Sequence, residues 1–154
     1  MKVIFLDIDG VLNCSTTKIG VNASSQIWNI DNTLVPNLNK IIDAFDPDDI
    51  TVVLSSSWRY AHRKRQIDIN ILLKEAGYTG PEIVEMTPET SEDIRGKEIR
   101  SWLDHAKDVE SFVILDDDTA DMLEFMDFIV EPSFEGGGLS SEHANIAVYI
   151  LRDF

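Results

Sequence analysis

The stretch Lys2-Val3-Ile4-Phe5-Leu6-Asp7-Ile8-Asp9-Gly10-Val11-Leu12 decides how the rest of the chain is read. Its first half is a short apolar run without polar alternation, the pattern of a parallel strand covered on both faces. Asp7 ends the run, and Asp9 follows two residues on, so both carboxylates point to one side if the extended backbone persists. Gly10 then allows the chain to turn tightly. Two carboxylates closing a buried strand repel each other unless a cation lies between them. This strand end is therefore a candidate cation site.

The same pattern recurs further along. Residues 51–54 (TVVL) end at Ser55, Ser111–Leu115 (SFVIL) ends at Asp116-Asp117-Asp118, residues 127–130 (DFIV) precede Glu131-Pro132, and a weaker run covers 82–84. Between these runs lie helical stripes: Leu38, Ile41, Ile42 and Phe45; Ile67, Ile71 and Leu72, stopped by Gly77; Ile99, Trp102, Leu103 and Ala106; and Ala144, Ala147, Val148 and Leu151. Strand and helix in alternation predict an α/β fold, a three-layer Rossmann-like sandwich on a mostly parallel central sheet. In such sheets ligands bind at the carboxyl ends of the strands. Here those ends carry Asp7, Ser55 and Asp116–Asp118.

The chain has 154 residues, 28 acidic and 13 basic, for a formal charge of −15, and 44% of it is apolar. That length suits one domain spanning 1–154. The acidic excess argues against a general coat of nucleic acid or anionic membrane, which needs a basic footprint. It leaves open an anionic substrate at a local site, because charges are screened over about 8 Å at physiological salt. No uncharged apolar run reaches the roughly 20 residues that span a bilayer, and the N-terminal run is too short for a signal-peptide core. The single cysteine, Cys14, fits a reducing compartment, so a cytoplasmic protein without a membrane partner is expected. Residues 13–30 carry one charge, Lys18, and are rich in Ser, Thr and Asn. They read either as a surface loop or as a flap over the strand-end site.

Asp7-Ile8-Asp9-Gly10-Val11-Leu12 after an apolar strand resembles the first motif of the haloacid dehalogenase (HAD) superfamily of phosphohydrolases. Ser55 after Val52-Val53-Leu54 is similar to its second motif. Arg95 or Lys97 in Asp93-Ile94-Arg95-Gly96-Lys97 is similar to the third, and Ile114-Leu115-Asp116-Asp117 to the fourth. The four occur in order over nearly the whole chain.

The resemblance implies a Mg²⁺-dependent phosphomonoesterase in which Asp7 attacks phosphorus and forms an aspartyl-phosphate. Asp9 would protonate the leaving oxygen and later take a proton from water. It further implies that Mg²⁺ is held by Asp7, the backbone carbonyl of Asp9, and Asp116, with Asp117 direct or through water. Ser55 and Ser56 would bind phosphoryl oxygens, although one of the serines at 55–57 is also expected to cap the next helix. Lys97 or Arg95 would supply positive charge near a helix N-terminus, with Lys97 favoured because family members usually use lysine.

Two other metal-site patterns fit less well. An EF-hand loop needs acidic residues at positions 1, 3 and 5 before its glycine. A receiver domain places its acidic pair after the first strand and its phosphoacceptor on a middle strand. Two further alternatives stay open: a non-catalytic phospho-acceptor or phosphate-binding regulatory module, and a phosphatase of nucleotides or sugar phosphates.

Residues 10–54 and 56–96 leave no room for a large cap domain, so the site is expected to be open and suited to a bulky or polymeric substrate. Trp58-Arg59-Tyr60-Ala61-His62-Arg63-Lys64-Arg65 follows the second motif directly. It reads as a solvated helix face or as a contact surface for a phosphorylated polymer, with Arg59 and Arg63 as candidate substrate contacts. This segment is similar to uncapped phosphatase domains of nucleic-acid end repair, including the phosphatase half of polynucleotide kinase-phosphatases. A polynucleotide 3′-phosphate end is accordingly one expected substrate and partner.

Overall fold

The computed structural model describes residues 1–18 and 28–152. Five parallel strands, β1 (Lys2–Leu6), β2 (Ile50–Leu54), β3 (Glu85–Met86), β4 (Ser111–Leu115) and β5 (Ile129–Val130), form one sheet in the order β3-β2-β1-β4-β5. The helices are α1 (Val35–Asp43), α2 (Trp58–Arg63), α3 (Ile69–Glu75), α4 (Arg95–His105) and α5 (Ser141–Arg152), joined by short 3-10 turns at Pro47–Asp49 and Leu123–Phe128.

Alternation along the strands builds two apolar layers. Ile4 and Leu6 share one with Val52, Leu54, Val113 and Leu115, covered by α1, α3 and α5. Val3 and Phe5 share the other with Val53 and Ile114, covered by α4 and the turn at 123–128. Both faces of β1 are thereby dry, which is why its sequence is apolar without interruption. The result is a Rossmann-like α/β fold with no large cap.

Local departures from the sequence expectations have identifiable causes. The run at 82–84 does not pair. Asn70 engages both the N–H and the carbonyl of Ile83, at 2.8 and 3.0 Å, so pairing with β2 begins only at Glu85. The strand expected at 127–130 shortens to two residues because the 3-10 turn runs to Phe128. Ile67 and Leu72 pack partly buried on the core that takes up Ile69 and Leu73, at helical spacing in α3, while Ile71 is exposed; Asp68 caps the helix.

β1 is central, and the chain crosses to opposite sides of it for β2 and β4. The crevice beyond β1 and β4 is thus the topological switch point of the sheet. No helix among the described residues is long and apolar enough to cross a membrane.

Candidate active site

Strand register assembles the site. Leu6 pairs with Leu54 on one side and Leu115 on the other. One residue further, Asp7 N–H donates to the Leu115 carbonyl at 3.0 Å and Ser55 N–H to the Leu6 carbonyl at 2.9 Å. Asp7, Ser55 and Asp116 therefore form the row just past the strand ends. All three are buried.

Carboxylate oxygens of Asp7, Asp116 and Asp117 lie within 4.8 Å of one another. Hard cations hold oxygens at about 2.0–2.6 Å, so opposed ligands sit roughly 4–5 Å apart, and the three residues fit such an ion. Their electrostatics point the same way. Burial, then the charge of Asp116, pushes Asp7 up to about 8 against the pull of Arg95. Burial likewise raises Asp116, again opposed by Arg95. These are costly carboxylates that a cation would relieve.

Gly10 keeps this cluster tight. It has φ +79°, and a Cβ there would lie 2.1 Å from Asp117 Oδ2. No side chain fits between the first-strand turn and the fourth-motif carboxylate.

Asp9 stands outside the three-carboxylate cluster, on the exposed rim. Its Oδ1 accepts from Asn13 Nδ2 at 2.9 Å and its Oδ2 from Trp58 Nε1 at 3.1 Å. Asn13 Oδ1 in turn accepts the Gly10 N–H at 3.0 Å. Trp58 is buried and meets Trp28 edge-on at 5.1 Å between ring centroids. Asn13 thus holds Asp9 directly, and Trp28 packs on the indole that holds it. The remainder of the flap expected at 13–30, residues 19–27, lies outside the described residues.

The phosphate-side residues divide clearly. Ser55 Oγ is buried with no hydrogen-bond partner among the described residues. Ser56 Oγ accepts from Trp58 N–H at 3.1 Å at the start of α2, which leaves its own hydroxyl proton free to donate. Arg95 Nη1 lies 2.7 Å from Asp116 Oδ2 and 3.4 Å from Asp7 Oδ2. Burial would lower its basicity, but Asp7 and Asp116 outweigh this and raise it.

Lys97 instead pairs with Glu92 on the exposed surface. Of the two candidate cations, Arg95 and not Lys97 is the one brought to the carboxylates. The register is set from across the fold, where Asp121 Oδ2 accepts the Arg95 N–H at 3.0 Å and caps α4. A Cβ on Gly96 would come within 2.3 Å of the Asp121 carbonyl, so α4 can approach that loop only through a glycine.

A small cleft of about 200 Å³ opens beside Arg95, lined by Ser57, Tyr60, Asp93 and Asp118 among others. Two larger grooves lie elsewhere: one bordered by Arg65, Asp68 and Val84, the other by Met1, Trp102 and Lys107. Neither borders the carboxylates; the smaller cleft adjoins them through Arg95, which lines it and pairs with Asp7 and Asp116.

Residues 3–144 match the family model described as the HAD domain in Swiss Army Knife RNA repair proteins. The chain belongs to this family. No curated protein matches it, and no solved structure does.

Within this HAD domain the four motif regions converge at the carboxyl edge of the sheet. The basic segment after the second motif does not form one solvated face. Arg59 is 2% exposed, its Nη2 on Glu98 Oε2 at 2.5 Å, and the pair forms part of the wall of the cleft beside Arg95. Arg63 remains near the surface, paired with Glu89 at 2.6 Å and bonded to the Thr87 carbonyl at 3.2 Å. Sequence reasoning missed the roles of Asn13, Trp58 and the Arg59–Glu98 pair. Only the nearness of Asn13 and Trp58 to motif residues could have drawn attention to them.

Proposed function

We propose that this HAD domain is a Mg²⁺-dependent phosphomonoesterase working through an aspartyl-phosphate on Asp7. The observation that carries the reading is the row Ser55–Asp7–Asp116 at the switch point, with Arg95 bridging Asp7 and Asp116. A Mg²⁺ ion held by Asp7, Asp116 and Asp117, with the Asp9 carbonyl as a further ligand, would supply the charge that ionises Asp7 and offsets its repulsion from a phosphate.

In the first step an Asp7 carboxylate oxygen bonds to phosphorus as the bond to the leaving oxygen breaks, and that oxygen takes a proton from Asp9. In the second, a water oxygen bonds to phosphorus, the bond to Asp7 breaks, and Asp9 receives the water's proton. Ser55 Oγ, buried and otherwise unpartnered, is available to donate to a phosphoryl oxygen. Arg95 supplies fixed positive charge. Asn13 and Trp58 hold the Asp9 carboxylate in one orientation at the rim, where a leaving group would enter.

The absence of a large cap and the small cleft beside Arg95 suit a substrate whose phosphate enters while its bulk stays outside. The family's description as RNA repair proteins supports a phosphorylated nucleic-acid end, including a 3′-phosphate. The test is phosphate release with Mg²⁺ from nucleotides, sugar phosphates, phosphopeptides and oligonucleotides carrying 3′- or 5′-phosphates. Preferred turnover of oligonucleotide ends is expected. Preference for free nucleotides or sugar phosphates would replace this substrate reading, and stable phosphorylation of Asp7 without turnover would make the domain a phospho-acceptor.

A further inference from the structure

The buried Arg59–Glu98 pair joins the two sides of the phosphate cradle. Arg59 Nη1 donates to the Ser55 carbonyl at 3.2 Å and to Thr87 Oγ1 at 3.1 Å, while Nη2 reaches Glu98. Glu98 Oε2 also accepts the Thr90 N–H at 3.3 Å. Both side chains are 2% exposed. Glu98 sits one helical turn after Arg95 on α4, so whatever fixes Glu98 fixes the position and rotation of the turn that carries Arg95. One guanidinium therefore spans the backbone of Ser55, the segment following β3, and the first turn of α4.

A buried pair of this kind is a weak source of stability. Desolvating two charges is costly, and replacing such a pair by apolar residues of similar size is often neutral or stabilising. The planar fork of arginine, by contrast, can hold three partners at set angles, which lysine cannot. We propose that Arg59, acting through Glu98 and the Ser55 carbonyl, is a positioning residue that sets the distance between the Ser55 hydroxyl and the Arg95 guanidinium, the two groups that would grip the transferred phosphoryl. The inference rests on the phosphohydrolase reading above and assigns Arg59 no contact with substrate.

The test is the double variant Arg59→Met/Glu98→Met, which removes both charges and leaves neither partner alone. It is expected to unfold at or above the wild-type Tm, yet to lose about 10- to 100-fold in kcat on a small aryl phosphate, the loss that a misplaced phosphoryl grip produces. Wild-type Tm with wild-type kcat would overturn the proposal and leave the pair a packing feature. Should the double variant fail to fold, Arg59→Lys keeps the charge without the fork; a folded Lys variant with wild-type kcat overturns it equally. If the wild-type protein releases no phosphate, the phosphohydrolase reading fails by itself. The coupling is then read from inorganic phosphate: weaker binding by the double variant supports it, and an unchanged Kd overturns it.

Discussion

The indole N–H of Trp58 donates to Asp9 Oδ2 at 3.1 Å, so the residue that opens α2 also aims the second carboxylate of the first motif. A core tryptophan here has a polar end in the site, and its ring rests edge-on against Trp28. Packing and orientation come from one side chain.

Trp58→Phe separates the two. It keeps a ring against Trp28 and removes the N–H. Hydrogen bonds to charged groups contribute about 1.5–3 kcal/mol, so kcat should fall roughly 10-fold or more with little change in KM. Steady-state kinetics on an aryl phosphate checks this, and an unchanged kcat would show that Asp9 needs no such anchor.

Arg95 and Lys97 are two residues apart and should behave very differently. Arg95→Ala removes the cation that bridges Asp7 and Asp116 and should cost about 10²–10³-fold in kcat/KM. Lys97→Ala breaks only an exposed pair with Glu92 and should stay within about threefold of wild type. Kinetics of the two variants side by side is the check; the opposite ranking would restore Lys97 as the third-motif cation.

Asp7 gives the protein a defined pH response. Burial and Asp116 raise it from 3.8 to about 8 in the folded state without metal. The unfolded chain therefore loses this proton near pH 4 while the folded one keeps it. The stability it contributes is fully present below that point and lost as pH rises toward 8. The difference in Tm between wild type and Asp7→Asn, measured without metal from pH 4 to 9, should follow this loss and level off above 8. A difference independent of pH would remove the basis for it.

If Asp7 holds the proposed cation, binding displaces the same proton. Apparent Mg²⁺ affinity should rise about tenfold per pH unit below 8 and flatten above it, measured by calorimetric titration. An affinity independent of pH would mean that Asp7 is not a ligand.

Much of this was legible in the sequence because a buried parallel strand announces its own end. Val3–Leu6, Val52–Leu54 and Val113–Leu115 are uniformly apolar, so the first polar residue after each marks the carboxyl edge of the sheet, and those residues are Asp7, Ser55 and Asp116. What was not legible depends on partners distant in sequence. Arg95 rather than Lys97 lies beside Asp7 and Asp116, and the helix turn that carries it is capped by Asp121, 26 residues away. Arg59 lies in a run that reads as a basic surface, and partners up to 39 residues on, Thr87 and Glu98, hold it inside. The run at 82–84 has strand-like composition, but Asn70 takes up the polar backbone groups of Ile83.

The central claim is that Asp7 carries the phosphoryl group. Asp7→Asn keeps the side-chain shape and removes the nucleophile, so the measurement is Mg²⁺-dependent phosphate release by the purified variant on the best substrate of the wild type. The account predicts loss of release, with folding intact by circular dichroism. Release at the wild-type rate would contradict it.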